Sequence, residues 1–234
     1  MAELLFYTKP EILNRENHKD LNFLAVTDLS FSRDVNSVPV LGIEFFEASR
    51  DMPILFSRDE SGAYFPIALL SLRNEGHDQL NDSGQWKGNY TPAFIRRYPF
   101  ALTDDKNICF DQDYAGFNVD DGEPLFDEEG ANTKTLDNII EFVTNFDVEH
   151  QRSREFCDAL TEQELLTPFR LQIMTADKQP LRMDGLFVID EKKLESLTDD
   201  VVSDWFKEGF IAWAYAHLHS LGALRQLGEQ LDTR

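Results

Sequence analysis

Between residues 53 and 72 the chain reads PILFSRDESGAYFPIALLSL, two apolar runs separated by a polar cluster that ends in Gly62. A glycine-closed polar cluster between runs rich in aromatic and branched residues is hairpin chemistry, and it predicts two antiparallel strands. Past Thr135 the apolar spacing changes to a period of about 3.6 residues, through Leu136, Ile139, Ile140, Val143 and Phe146 and then Phe156, Cys157 and Leu160. Strands gathered early and helices gathered late define an α+β fold, here an N-terminal antiparallel β-rich region packed against a helical C-terminal half.

Local signals fill in this frame. LNFLAV at 21–26 and the following DLSFSRD read as edge strands that pair, residues 44–49 as a short helix, and ICFDQD from residue 108 as a strand closing a β-rich meander over about 50–113. The acidic stretch 113–134 is interrupted by Gly116, Gly122, Pro124 and Gly130 and reads as a long surface loop. Thr135 is the expected N-cap of the following helix, with Asp137 aiding its first turn and a break near Asp147. LLTPFRLQIM and the turn TADKQP lead to a strand over 185–189 that meets Asp190, the expected cap of EKKLESL. Thr198 or Asp199 caps VVSDWFKE, Gly209 ends it, and an apolar helix over 210–221 precedes an exposed tail, GALRQLGEQLDTR.

Charge excludes one class of partner. Twenty-two basic residues against 43 acidic ones leave a net charge of −21, a field that repels phosphate backbones in the absence of a segregated basic face. The close basic pairs, Arg96–Arg97, Arg152/Arg154 and Lys192–Lys193, stand among acids or aromatics, so no nucleic-acid partner is expected. The apolar stretch 210–224 holds two histidines and is shorter than the roughly 20 residues of a spanning helix, so no membrane span is expected. The N-terminus carries no basic segment followed by an apolar run, and Cys109 and Cys157 lack metal or redox spacing. A cytoplasmic protein is the expectation, with signal-less export to the cell surface as the other route.

Five strings occur in order: PILFSRDESGAYFPIALLSL, GQWKGNYTPAFIRRYPFAL, GEPLFDEEG, MDGLFVIDEKKLESL and AYAHLHSL. In that combination the chain resembles the SapC family of bacterial proteins over about residues 38–222. The resemblance implies a single domain over 1–234, with 1–37 as an N-terminal extension and 223–234 as a tail. It also implies a loose association with bacterial surface layers, and it supplies no catalytic residues. The peptide-importer permease that shares the name is a different protein, since a permease needs several spanning helices.

NYTPAFIRRYPFAL at 89–102 is the sharpest candidate site. In an extended segment adjacent side chains face opposite ways, so Arg96 and Arg97 do not form a two-arginine clamp. Two readings stand. One arginine grips a carboxylate or phosphate beside an aromatic wall of Trp86 or Tyr90, or each arginine pairs with an acid and stacks on neighbouring rings as scaffolding. Glu44, between Ile43 and Phe45, is the acid expected to be buried, with Arg96 or Arg97 as its expected partner. His217 and His219 diverge by about 200° on a helix, and His217 is the better candidate for a buried polar anchor. DQDYAGFNVDDG departs from a calcium loop, having Ala115 at the fifth position and Gly122 at the twelfth, and retains only adventitious divalent binding through Asp111, Asp113, Asp120 or Asp121.

No nucleophile elbow, phosphate loop or dinucleotide fingerprint is present, and no cofactor or metal is expected. The expected function is that of a non-enzymatic accessory or interaction protein with a protein partner, one associated with the surface layer if the family name is a guide. The alternative is a small anionic-ligand binder or enzyme built on Trp86, Tyr90, Arg96, Arg97, Tyr98 and His217.

Overall fold

The computed structural model describes residues 4–73, 76–118, 120–174 and 180–231. In chain order the strands are β1 (Pro10–Ile12), β2 (Asn22–Phe23), β3 (Ser37–Pro39), β4 (Ile54–Arg58), β5 (Tyr64–Leu69), β6 (Phe100–Leu102), β7 (Ile108–Asp111), β8 (Glu123–Pro124), β9 (Leu166–Met174) and β10 (Pro180–Ile189). The helices are α1 (Arg15–His18), α2 (Phe45–Ala48), α3 (Ala93–Arg96), α4 (Lys134–Glu162), α5 (Glu191–Glu195), α6 (Asp199–Glu208), α7 (Phe210–Ser220) and α8 (Leu224–Leu231). The α+β class holds.

The expected hairpin forms as β4 and β5, with Leu55 opposite Ile67 and Gly62 at φ +87° in the turn. It becomes the centre of a five-stranded sheet of order β3-β5-β4-β10-β9, so the C-terminal half contributes two of the strands. β10 joins the hairpin where Phe187 meets Phe56 and pairs antiparallel with β9 along its length. Of the turn expected at TADKQP, residues 175–179 lie outside the described residues. A second sheet, β1-β7-β6, stands apart, and β2 pairs with β8. LNFLAV therefore finds its partner in the acidic loop, while Ser30–Ser32 of the expected neighbouring strand winds into a 3-10 turn.

Alternation along the strands gives the large sheet two buried faces. Ile54, Phe56 and Ala68 face the main core with Phe156 and Leu160 of α4 and Trp213 and Ala214 of α7. Leu55, Ile67 and Leu69 face the other way and are covered by Leu224 and Leu227 of α8. The expected exposed tail is thus an amphipathic helix whose Leu227 retains 2% exposure.

α4 is one unbroken helix of 29 residues. At 1.5 Å per residue it runs about 44 Å, enough to serve two cores. Leu136 and Val143 pack with Phe100, Phe110 and Leu125 in the core of the small sheet, whereas Phe156 and Leu160 belong to the main core. The lapse in apolar pattern near Asp147 marks the crossing between cores, not a break. Its N-cap is Thr133, two residues earlier than expected, whose Oγ1 accepts from Leu136 N at 3.4 Å. Asp190 caps α5, accepting from Lys192 N and Lys193 N, and Gly209 ends α6 at φ +80°.

Candidate functional site

Residues 89–102 form a strap that crosses between the two cores. It is not a strand at the arginines: Ala93–Arg96 makes a turn of helix and Arg97 is its C-cap. The helix separates the two side chains as an extended segment would have done, by rotation about its axis in place of alternation. Beyond it the chain passes a cis Tyr98–Pro99 bond into β6.

Glu44 ends a 3-10 turn (Gly42–Glu44) that leads into α2, and it retains 4% exposure. Its Oε1 accepts from Tyr90 OH at 2.6 Å and from Ala93 N at 2.7 Å, and its Oε2 accepts from Leu41 N at 2.8 Å. The expected ion pair with Arg96 or Arg97 is absent. Two backbone N–H groups left over at helix starts and a phenol supply the buried carboxyl group instead. Burial raises its pKa above the usual carboxylate range, against the pull of these three hydrogen bonds. Burial likewise raises the Tyr90 phenol, aided by the neighbouring Glu44 charge.

Arg96 is exposed. Its Nε donates to Thr91 O at 2.9 Å and its Nη2 to Tyr90 OH at 3.1 Å, so it reaches Glu44 only through the phenol. Arg97 is 5% exposed, its guanidinium carbon 4.2 Å from the Phe94 ring centre and 4.6 Å from that of Phe146. The planar cation is sandwiched where α4 passes between the cores, a position that suits arginine and not lysine. Tyr98 donates from its hydroxyl to Asp111 Oδ2 at 3.0 Å, and Asp111 also accepts from Thr8 N and Lys9 N. Burial would raise the Asp111 pKa, but these hydrogen bonds outweigh it and hold the carboxyl below its ordinary value.

The other sequence candidates lie apart from the strap. The Trp86 ring packs 5.6 Å from His77, and its buried indole N–H has no acceptor among the described residues. His217 is fully buried in α7, where Nδ1 donates to Ile54 O at 2.8 Å and Nε2 accepts from Ile189 N at 3.1 Å. One neutral imidazole thus ties β4 to β10, and burial pulls its pKa down to about 4. Ser220, one turn on, accepts from Ile54 N at 2.9 Å, completing the pair of backbone groups.

Two surface cavities, of about 300 and 280 Å³, are lined respectively by Asp34, Asn36, Phe65 and Ile67 with neighbours and by Pro10, Leu102, Asp105 and Cys109 with neighbours. None of the six candidate ligand residues lines either one. Among the described residues no group of three or more His, Cys, Asp or Glu is placed to hold a metal ion.

One feature of the helical half escaped the sequence reading. Arg152 of α4 lies 4.4 Å over the Trp213 ring and donates from Nη2 to Glu208 O at 2.6 Å, at the elbow between α6 and α7. Gly42 abuts the same indole so closely that a Cβ there would stand 2.3 Å from it. Nothing in the local sequence joins residues 42, 152 and 213, because the contact is wholly tertiary.

The described residues define an α+β protein with three apolar cores, one strap that crosses between two of them, and no helix long and apolar enough to cross a membrane. The chain belongs to the SapC family, whose model matches residues 13–227. No curated protein and no solved structure matches it.

Proposed function

We propose that this chain is a non-enzymatic accessory protein that acts by offering a surface to another protein, in keeping with the surface-associated role the family name suggests. One observation carries this reading: large apolar side chains stand exposed on the segments that meet at the Arg152–Trp213 contact, Phe206 at 76% on α6 and Ile43 and Phe46 at 54% and 53% on the turn into α2. Contiguous exposed apolar patches mark interaction sites, whereas single scattered ones do not. The polar candidates for a small-anion site are meanwhile engaged internally: Tyr90 with Glu44, Arg96 with Thr91 O and Tyr90, Arg97 between two rings, Tyr98 with Asp111, and His217 with Ile54 and Ile189. Two buried free thiols, Cys109 and Cys157, support a reducing cytoplasm as its location, with signal-less export as the route to any role at the cell surface.

The test is co-purification from extracts of the cells that make the protein, with wild type, Phe206→Ser and Arg96→Ala in parallel. The reading expects a specific companion protein retained by wild type and Arg96→Ala and lost by Phe206→Ser. A companion set identical for all three would remove the surface from consideration.

A further inference from the structure

Several exposed apolar side chains lie on the segments that meet at one junction. Arg152 contacts Trp213 and the Glu208 carbonyl, Gly42 lies against the other part of Trp213, and Phe206 O accepts from Gly209 N at 3.3 Å. Ile43 follows Gly42, Val148 stands one turn before Arg152 on α4, and Phe206 precedes the elbow. Val202 and Phe206 lie four apart on α6, and Ile43 and Phe46 lie three apart, so each pair shares one side of its helical segment. Val148 and Val202 are themselves 57% and 39% exposed. The result is an apolar rim on the segments around a half-buried arginine stacked on the buried Trp213 indole.

Charge around this rim has one sign left over. The basic side chains beside it are engaged locally: Arg50 with Glu47 at 3.0 Å, Lys207 with Asp204 at 3.1 Å and Arg152 with Glu149 at 3.5 Å. Asp199, Asp200 and Glu208 are exposed and have no basic partner among the described residues. A second copy of a chain carrying −21 would bring the same acids against themselves, and an anionic lipid surface would be repelled.

We propose that the rim docks a basic amphipathic helix of a partner protein. Its apolar side seats on Ile43, Phe46 and Phe206, and its lysines or arginines meet Asp199, Asp200 and Glu208. Helix-in-groove recognition places apolar anchors one turn apart on the ligand, and the two apolar pairs here offer matching spacing. The proposal rests on the interaction reading above and narrows the partner to one chemistry.

The probe is a synthetic leucine–lysine helix of about 18 residues, long enough to hold helical structure when docked, beside its leucine–glutamate counterpart. Fluorescence anisotropy is measured against wild type, Phe206→Ser, Phe46→Ser and the distant surface variant Ile12→Ser, each verified as folded by circular dichroism. The expected result is saturable binding of the lysine peptide that weakens about tenfold or more in the two rim variants and is unchanged in Ile12→Ser, as anchors in an interface behave. Binding to the glutamate peptide should be absent. Equal binding by all four proteins, or none by wild type, overturns the proposal. If the lysine peptide fails while co-purification still depends on Phe206, only the basic chemistry is wrong; if co-purification is also indifferent to Phe206, the interaction reading falls with it.

Discussion

Tyr90 donates its hydroxyl hydrogen to Glu44 Oε1 across 2.6 Å, and this bond fastens the strap to the turn that opens α2. Removing the donor in Tyr90→Phe leaves a buried carboxyl group one partner short. The expected loss is about 1–2 kcal/mol of unfolding free energy, read from urea denaturation. An unchanged midpoint would mean the phenol is incidental.

Glu44 itself sets a pH dependence. Because burial raises its pKa in the fold, its contribution is intact below the ordinary carboxylate range and declines as pH rises through the folded value. Glu44→Gln resembles the protonated form and lacks that decline. With its NH2 set against Leu41 N–H, the variant should be less stable than wild type at acid pH by about 1–3 kcal/mol, and the deficit should shrink as pH rises through the folded value. A deficit that grows with pH would contradict the burial.

His217 acts in the opposite sense. Its pKa falls from 6.5 to about 4 in the fold, so the unfolded chain binds the extra proton and stability is lost as pH drops through that window. The full difference is about 3 kcal/mol. Gln in its place can still donate to Ile54 O and accept from Ile189 N, so His217→Gln should flatten the loss between those pH values while costing stability at neutral pH. Urea unfolding at neutral and mildly acid pH, on both proteins, decides it; parallel pH profiles would place the acid sensitivity elsewhere.

The elements that were legible in the sequence are those decided by neighbouring residues. The β4–β5 turn announces itself through Gly62, and the caps at Asp190 and Gly209 follow from side-chain length and from positive φ. What escaped needed distant chain. Thr133 and Thr135 are chemically equal caps, and only the packed end of α4 selects Thr133. The apolar lapse near Asp147 looks like a helix break until two separate cores are known to share α4. Glu44 was recognisable as a buried acid from its apolar neighbours, yet its partners come from Tyr90 and Ala93, and an arginine was the wrong expectation. Arg96 and Arg97 divide as foreseen, though a helical turn and not a strand divides them.

α8 offers a further check. Eight residues are too few to hold a helix alone, so it forms by seating Leu224 and Leu227 on the sheet. Leu227→Ala should cost about 2–4 kcal/mol and make Leu55, Ile67 and Leu69 accessible enough to bind an apolar dye. If the variant unfolds as wild type does, the helix is a passenger.

Arg97 should tolerate no simple swap. Arg97→Lys loses the planar stack between Phe94 and Phe146 at a cost of about 1–2 kcal/mol, whereas exposed Arg96→Ala should stay within about 0.5 kcal/mol of wild type. Urea midpoints of the two variants side by side would show it, and a reversed order would return Arg96 to structural importance and free Arg97 from it.

The most direct measurement of whether the strap is scaffolding is a thermal-shift titration of carboxylates, phosphates and nucleotides to millimolar concentration on wild type and Arg96→Ala. A ligand at a hundred times its Kd would stabilise the fold by about 2.7 kcal/mol, a shift of several degrees. The ring sandwich of Arg97 and the internal bonds of Tyr90, Arg96 and Tyr98 predict no saturable shift in either protein. A saturable shift in wild type that vanishes in Arg96→Ala would contradict it and restore the strap as an anion site.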